Sequence, residues 1–302
     1  MTLRIISQNE PELQSIREKI SKYVRQAEAQ GMKYWVLLED LNPISVVSVG
    51  KEPVLLIAPI GTPLSLVRVI DPQVSKETLR TVAIHVIRLS KENGAEYSYT
   101  RLSARYKDAV FQFKEAGFKE LADTYEMECP LNAVYEPSDI LRFEKVQRSD
   151  LNRYLQYMKE FMSGSPDIVL NMILDNVRKM PDEFLDMWYR LEHFFLAYKG
   201  ESAVGILDIN VKECRISNIG VAPEERGKGY GRQIMLFGLR LLKDEVCSKA
   251  NLRVHVGNEA AIHLYETLGF KVTDRIKHLI WWRQSSSHPI TLFLRAREKM
   301  EQ

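Results

Sequence analysis

Cysteine is scarce in this chain: three residues among 302, Cys129, Cys214 and Cys247, odd in number and far apart. That usage argues against a disulfide framework or a zinc site and fits a reducing compartment. Long apolar runs are missing too. None approaches the roughly 20 residues that cross a bilayer, and the opening stretch MTLRIISQNEPELQS lacks the apolar core of a secretory signal. No membrane partner is expected, and a cytoplasmic location is. Charge of one sign is not in excess either: 42 Lys and Arg against 40 Asp and Glu leave +2, which makes no electrostatic case for nucleic acid. What remains is a globular composition, 45% hydrophobic and 27% charged, in a chain long enough for two domains.

The most informative stretch is Ile-Gly-Val-Ala-Pro-Glu-Glu-Arg-Gly-Lys-Gly-Tyr-Gly, residues 219–231. An apolar strand enters a loop with Gly227, Gly229 and Gly231, interleaved with Arg226, Lys228 and Arg232, and a helix follows at once. Glycine lets backbone approach a ligand closely, the N–H groups and dipole of a helix start favour an anion, and the cations reinforce that preference. The combination suits a pyrophosphate. The spacing is G-x-G-x-G and no Gly-Lys-Ser/Thr follows, so neither a dinucleotide fingerprint nor a P-loop is present.

Around this loop the pattern alternates strands and helices. Residues 194–198, 204–211 and 215–221 read as strands joined by tight turns. Met235, Leu239, Leu242 and Val246 form one helical stripe. A strand at 252–256, a helix at 261–268 stopped by Gly269, and a strand at 271–283 complete the half. The N-terminal half repeats the order, with a strand at 67–71, a helix at 76–89, a strand at 97–101 and a helix at 107–116. Pro223 follows Pro72 by 151 residues, and Gly269-Phe270-Lys271 follows Gly117-Phe118-Lys119 by 152, so an internal duplication is expected. The α/β (α+β) reading is two domains, 1–134 and 140–302, each a mixed, mostly antiparallel sheet flanked by helices. The tail from 285 to 302 reads as a final strand and helix, or as an arm to a second copy in a homodimer.

At this point the C-terminal half resembles the GCN5-related N-acetyltransferase (GNAT) family. Arg226, Gly229 and Gly231 match its Gln/Arg-x-x-Gly-x-Gly/Ala motif. Asn258, Ala261 and Tyr265 match Asn-x-x-Ala-x-x-x-Tyr, ahead of Gly269-Phe270. The resemblance implies acetyl-CoA as cosubstrate. Ile219, Gly220 and Val221 would pair with its pantetheine arm, the amides of Gly227, Lys228, Gly229, Tyr230 and Gly231 would hold the pyrophosphate with Arg226, Lys228 and Arg232 in support, and Asn258 would contact the cofactor or brace the site. Tyr265 would protonate the departing thiolate, a role open to a phenol because its pKa lies near that of a thiol. No metal is required. The acceptor would be a primary amine: a small molecule, a peptide N-terminus or a lysine.

The general base is where the pattern departs. The positions at which family members carry a glutamate hold Arg253 and Arg215 here. Glu213, Asp208, His255 or a water path are left as candidates. In the N-terminal copy, alignment on Pro72 sets Ser75, Thr78 and Arg80 against Arg226, Gly229 and Gly231, and Phe113 against Tyr265, so a degenerate domain is expected. Asp182, Glu183, Asp186, Trp188, Tyr189 and Glu192 form an acidic, aromatic stretch suited to a cationic amine. The rival reading is an acyl-CoA-binding sensor or scaffold without turnover.

Overall fold

The structure, a computed structural model, describes residues 3–51, 61–176 and 180–283; the tail from 285, with its expected final strand and helix or arm, lies outside them. The chain divides into two compact units, one running to Asp123 and resuming at Arg275, the other spanning Thr124–Asp274. Each is a mixed, mostly antiparallel sheet with helices on it, as the alternating sequence pattern implies. Among the described residues no helix is long and apolar enough to cross a membrane.

The first unit contains β1 (Arg4–Ser7), α1 (Leu13–Ala29), β2 (Lys33–Glu39), β3 (Asn42–Lys51), β4 (Pro63–Val69), α2 (Lys76–Glu92), β5 (Tyr97–Ser103) and α3 (Lys107–Glu115). Leu79, Val82, Val86 and Leu89 of α2 form the buried stripe that their helical spacing predicts, packed with Phe113 and Phe118. The strands run β1-β2-β3-β4-β5, and the next place is taken by β12 (Lys271–Trp282), in which the segment from Ile276 to Trp282 pairs antiparallel with β5. The sequence pattern had given this strand to the C-terminal domain. Adjacency in sequence is the only cue a pattern offers, and the pairing partner here lies far away along the chain.

The second unit contains the distal part of β6 (Lys119–Pro130), then β7 (Arg142–Lys145), α4 (Leu151–Phe161), α5 (Ile168–Asn176), α6 (Asp182–Leu191), β8 (His193–Lys199), β9 (Ser202–Asn210), β10 (Arg215–Val221), α7 (Tyr230–Asp244), β11 (Lys249–His255) and α8 (Glu259–Thr267). Its strand order is β6-β11-β10-β9-β8-β7. Two glycines identify the layers. A Cβ on Gly205 would meet Ile234 of α7, whereas one on Gly220 would meet Met162 and Phe161 at the end of α4. Helices α7 and α4 therefore cover opposite faces of β9 and β10, and glycine is what lets each approach.

The stripe on α7 is shorter than its spacing suggests. Met235, Leu239 and Leu242 are fully buried, but Val246 is 91% exposed. The helix ends at Asp244, and Val246 has φ of 65°, which turns its side chain outward. The next residue, Cys247, forms a disulfide with Cys214. This corrects the expectation drawn from cysteine number and spacing, and removes that support for a reducing compartment. The two are 33 residues apart in sequence, yet the crossover through α7 returns the chain to the start of β10, where their Cα atoms lie 5.9 Å apart. Closing a loop of that size restricts the unfolded chain by about 3–4 kcal/mol. Dithiothreitol is expected to lower the free energy of unfolding by about that amount, and identical urea midpoints with and without reductant would refute the bond's contribution.

Candidate active site

Strands β10 and β11 are parallel neighbours that pair at one point only, Arg215 with Asn251. Beyond it they part. Ser217, Asn218, Ile219 and Val221 are consequently half-exposed although their strand lies in the middle of a sheet, while Gly220 is buried against the end of α4. The first unit offers a direct comparison. Its parallel pair β4 and β5 stays in register over four residues, from Leu64 with Tyr97 to Val67 with Thr100, and no such opening forms there.

The wide end of the opening leads to the glycine loop. Gly227 and Gly229 have φ of 78° and 84°, values that L side chains rarely adopt, and a Cβ on either would meet nothing within 4 Å. Gly229 caps α7 in the left-handed conformation. The amides of Arg232 and Gln233 turn back onto the Gly229 carbonyl, whereas among the described residues those from 227 to 231 donate to no backbone carbonyl. Five successive donors at the positive end of a helix thus lack a backbone partner. Gly231 sits closer in, 3.4 Å from Leu264 of α8 if a Cβ is added, and the Tyr230 side chain is buried rather than turned to the loop.

The three cations are less free than their sequence positions suggest. Arg226 donates to the carbonyls of Val221, Phe161 and Ser163 at 3.2, 3.1 and 3.0 Å, tying the end of β10 to the last residue of α4 and the turn that follows it. Lys228 is paired with Glu225 at 3.0 Å, and Arg232 donates to Thr267 at 3.2 Å. Asn258 is the N-cap of α8, its side chain accepting from the Ala261 amide at 3.3 Å, which is a bracing role. Tyr106 occupies the same place before α3, with φ and ψ of −90° and 66° against −91° and 68° for Asn258. Helix caps also revise the alignment of the glycine loop. Ser75 caps α2 and Gly229 caps α7, so it is Ser75, not Thr78, that stands for Gly229, and the first unit's loop is three residues shorter after its proline.

Tyr265, on α8, is 6% exposed and packs in the core that includes Met235 and Leu239 of α7, with the Phe270 ring 6.0 Å away. Burial pushes its phenol above the usual tyrosine value, so the proton is held throughout the neutral range.

The base candidates separate by environment. Glu213 is exposed and ion-paired with Arg215. His255 accepts the Gly257 amide at its Nδ1, at 3.1 Å. Arg253 pairs with Glu126 at 3.4 Å. Asp208 is fully buried on the α4 face of β9, where Tyr154 of α4 donates to one oxygen and the Asn218 amide to the other at 2.5 Å. Burial raises its carboxyl to about 7 against the pull of those two donors, with the neighbouring Glu192 charge adding to the rise. Of the acidic stretch, Asp182 and Asp186 pair with Arg148 on the surface, while Trp188 and Tyr189 stack around Phe194. Glu192 alone turns in. It is 5% exposed and receives Ser217 at 2.8 Å, Arg215 at 3.2 Å and Asn210 at 3.2 Å.

Tyr154, Ser217 and Asn218 escaped the sequence reading. One local signal existed for their partners: Asp208 and Asn210 interrupt the otherwise apolar Val-Gly-Ile-Leu-Asp-Ile-Asn strand two residues apart, on one face. Polar groups buried on one face need partners, and those partners come from α4, α6 and β10.

Comparison with known families points to the same unit. Residues 167–270 match the model of the Acetyltransferase (GNAT) family. A mycothiol acetyltransferase of Nocardiopsis dassonvillei is 48% identical over 56 residues, 18% of this chain and 17% of that protein. One of Streptomyces scabiei is 33% identical over 97 residues, 31% of this chain and 32% of that protein. The chain thus spans about a third or less of the length of these curated relatives. Among solved structures, a tandem GNAT protein from the clavulanic acid biosynthesis pathway superposes with a TM-score of 0.60 at 11% identity, covering 93% of this chain and 98% of that one. A GCN5-related N-acetyltransferase from Sphaerobacter thermophilus gives 0.59 at 12%, covering 92% and 95%. The C-terminal unit is a GNAT-family domain, and the chain has the fold of tandem GNAT proteins.

Proposed function

We propose that the C-terminal unit transfers the acetyl group of acetyl-CoA to a primary amine by direct attack within a ternary complex. The observation that carries this reading is the single pairing of β10 with β11. The opening it leaves is lined by half-exposed strand backbone and ends at the unpaired amides of residues 227–231. A pantetheine arm can take the place of a strand beside Ile219 and Val221, and the loop amides can receive the pyrophosphate. Gly227, Lys228, Gly229, Tyr230 and Gly231 act through their backbones. Arg226 holds the cradle's shape through the α4 carbonyls, and Lys228 and Arg232 add positive potential at the rim. The acetyl thioester then lies toward the narrow end of the opening.

The state of the three cysteines supports direct attack. Cys214 and Cys247 are joined to each other, and Cys129 is buried, its thiol held above the usual value by that burial. None offers a thiolate for a covalent acetyl intermediate. Tyr265 supplies the proton for the leaving thiolate, and a backbone N–H of β10 polarises the carbonyl. The acceptor is a small-molecule amine or the amine of a peptide N-terminus or lysine side chain. The likeness to mycothiol acetyltransferases, over a third or less of this chain, supports the acetyl transfer.

The test is thiol release from acetyl-CoA in the presence of amines, polyamines, amino acids, aminoglycosides and N-terminal peptides, alongside calorimetric titration of acetyl-CoA. Saturable binding with turnover on one acceptor class is expected. An absence of acetyl-CoA binding would refute the assignment.

A further inference from the structure

β10 carries a bulge. Arg215 faces Asn210 and Ile216 faces Ile209, but the next partnered residue, Asn218, faces Asp208, so Ser217 and Asn218 together oppose a single residue of β9. In a regular strand two consecutive side chains would point to opposite faces. Here both point to the α4 face, and each meets a buried carboxylate: Ser217 donates to Glu192 at 2.8 Å, and Asn218 to Asp208 at 2.5 Å. Both residues are half-exposed, and both sit just past Arg215, where the opening between β10 and β11 closes. A thioester threaded from the glycine loop toward that point ends beside them.

The hydrogen-bond capacity of the two side chains differs. A serine hydroxyl has one proton to donate and two lone pairs. Ser217 spends its proton on Glu192 and one lone pair on the Arg215 Nε at 3.2 Å. One lone pair is left. The Asn218 amide can pass no proton; its NH2 donates to Asp208 at 2.5 Å, which leaves its carbonyl oxygen to accept.

We infer that Ser217 and Glu192 form the proton path of the transfer, with Ser217 touching the attacking amine and Glu192 receiving the proton through it, while Asn218, oriented by Asp208 and Tyr154, holds the amine by its carbonyl. This rests on the acetyl-transfer reading above. The amine nitrogen bonds to the acetyl carbon and the carbon–sulfur bond breaks. A nitrogen proton passes to Ser217 Oγ as the serine's own proton passes to Glu192 Oε2. The thiolate takes the Tyr265 proton. Glu192 and Tyr265 then exchange with solvent, and the products are an N-acetyl amine and free thiol. Proton acceptor and proton donor are separate groups, Glu192 and Ser217 on the α4 side of the sheet and Tyr265 in the α7 core.

Glu192 must be ionised to act. Burial raises it above the ordinary carboxylate range, opposed by Ser217, Arg215 and Asn210. The other titratable groups facing it are Asp208 on β9, Tyr154 on α4 and Arg215 on β10. Activity is therefore expected to fall as pH drops through the raised value, giving an acid limb above the range of an exposed glutamate.

The deciding experiment measures kcat, KM and their pH dependence for Glu192→Gln, Ser217→Ala and the double variant, with acetyl-CoA affinity by calorimetry on each. Each single change is expected to lower kcat by on the order of a hundredfold, with acetyl-CoA affinity kept within about twofold. The double variant should be no slower than the worse single one, because both interrupt one path. Glu192→Gln should change the acid limb, leaving only the fall that comes from Asp208 and from protonation of the amine itself. Hydroxylamine, whose nitrogen is weakly basic, should lose less rate than an alkylamine. Wild-type turnover that persists at full rate and with the same acid limb in both variants would overturn the proton path and leave the acetyl-transfer reading standing. Wild-type protein that fails to bind acetyl-CoA would remove that reading and this one together. If Glu192→Gln does not fold, Ser217→Ala, altered at a half-exposed hydroxyl, decides alone: unchanged kcat overturns the proposal.

Discussion

Replacing Gly229 by glutamate is expected to weaken acetyl-CoA binding by at least about a hundredfold, close to 2.7 kcal/mol. Two independent effects add. Gly229 has φ of 84° as the cap of α7, and a side chain there costs about 1–2 kcal/mol of backbone strain. The new carboxylate would also stand among the amides of residues 227–231, where like charge against a pyrophosphate costs another few kcal/mol at contact distance. Gly229→Ala separates the two, since it imposes strain without charge and should cost about tenfold or less. A Cβ at the position meets nothing within 4 Å, so Gly229→Ala brings no steric clash. Calorimetric titration checks both, and wild-type affinity in Gly229→Glu would remove the loop from the binding site.

The second large effect is on turnover alone. Tyr265→Phe is expected to reduce kcat by about a hundredfold, the usual cost of losing a general acid, with acetyl-CoA affinity unchanged. The ring is 6% exposed in the core beside Phe270, so phenylalanine preserves the packing and the substitution reports on the hydroxyl. Because burial raises the phenol above its ordinary value, the wild type should show no alkaline fall in rate from Tyr265 below about pH 10. Full activity in Tyr265→Phe would show that the proton reaches the sulfur by another route.

What could be read along the chain and what could not divide by distance. The glycine loop, the stripes on α2 and α7, the caps at Asn258 and Gly269 and the repeated strand–helix order depend on residues within a turn or two of each other, so periodicity and capping chemistry expose them. The exceptions are instructive. Val246 kept the spacing of its stripe but fell past the end of its helix. The disulfide, the parting of β10 from β11 and the bulge at Ser217 each depend on register between strands that meet only in the fold. No local pattern records that register. The same limit explains the base. Asp208 and Glu213 were visible as candidates because they lie near the motif strand, whereas Glu192 reaches the site from the end of α6, and its relevance follows only from the Ser217 hydroxyl it receives.

One connection has a consequence for how the protein comes into being. The sheet of the first unit is completed by residues Ile276 to Trp282 beside β5, and the sheet of the second begins with residues Thr124–Pro130 of β6 beside β11. During synthesis the N-terminal unit waits for residues Ile276 to Trp282 to leave the ribosome before β5 gains its neighbour. Until then β5 presents an unpaired edge, the feature most prone to wrong pairing. Contacts that close some 180 residues of chain also form slowly, because loop closure precedes the stabilisation it brings. A gene cut between the two sequence halves would give each product a sheet short of one strand, so the boundary between the sequence halves is not a boundary between folding units.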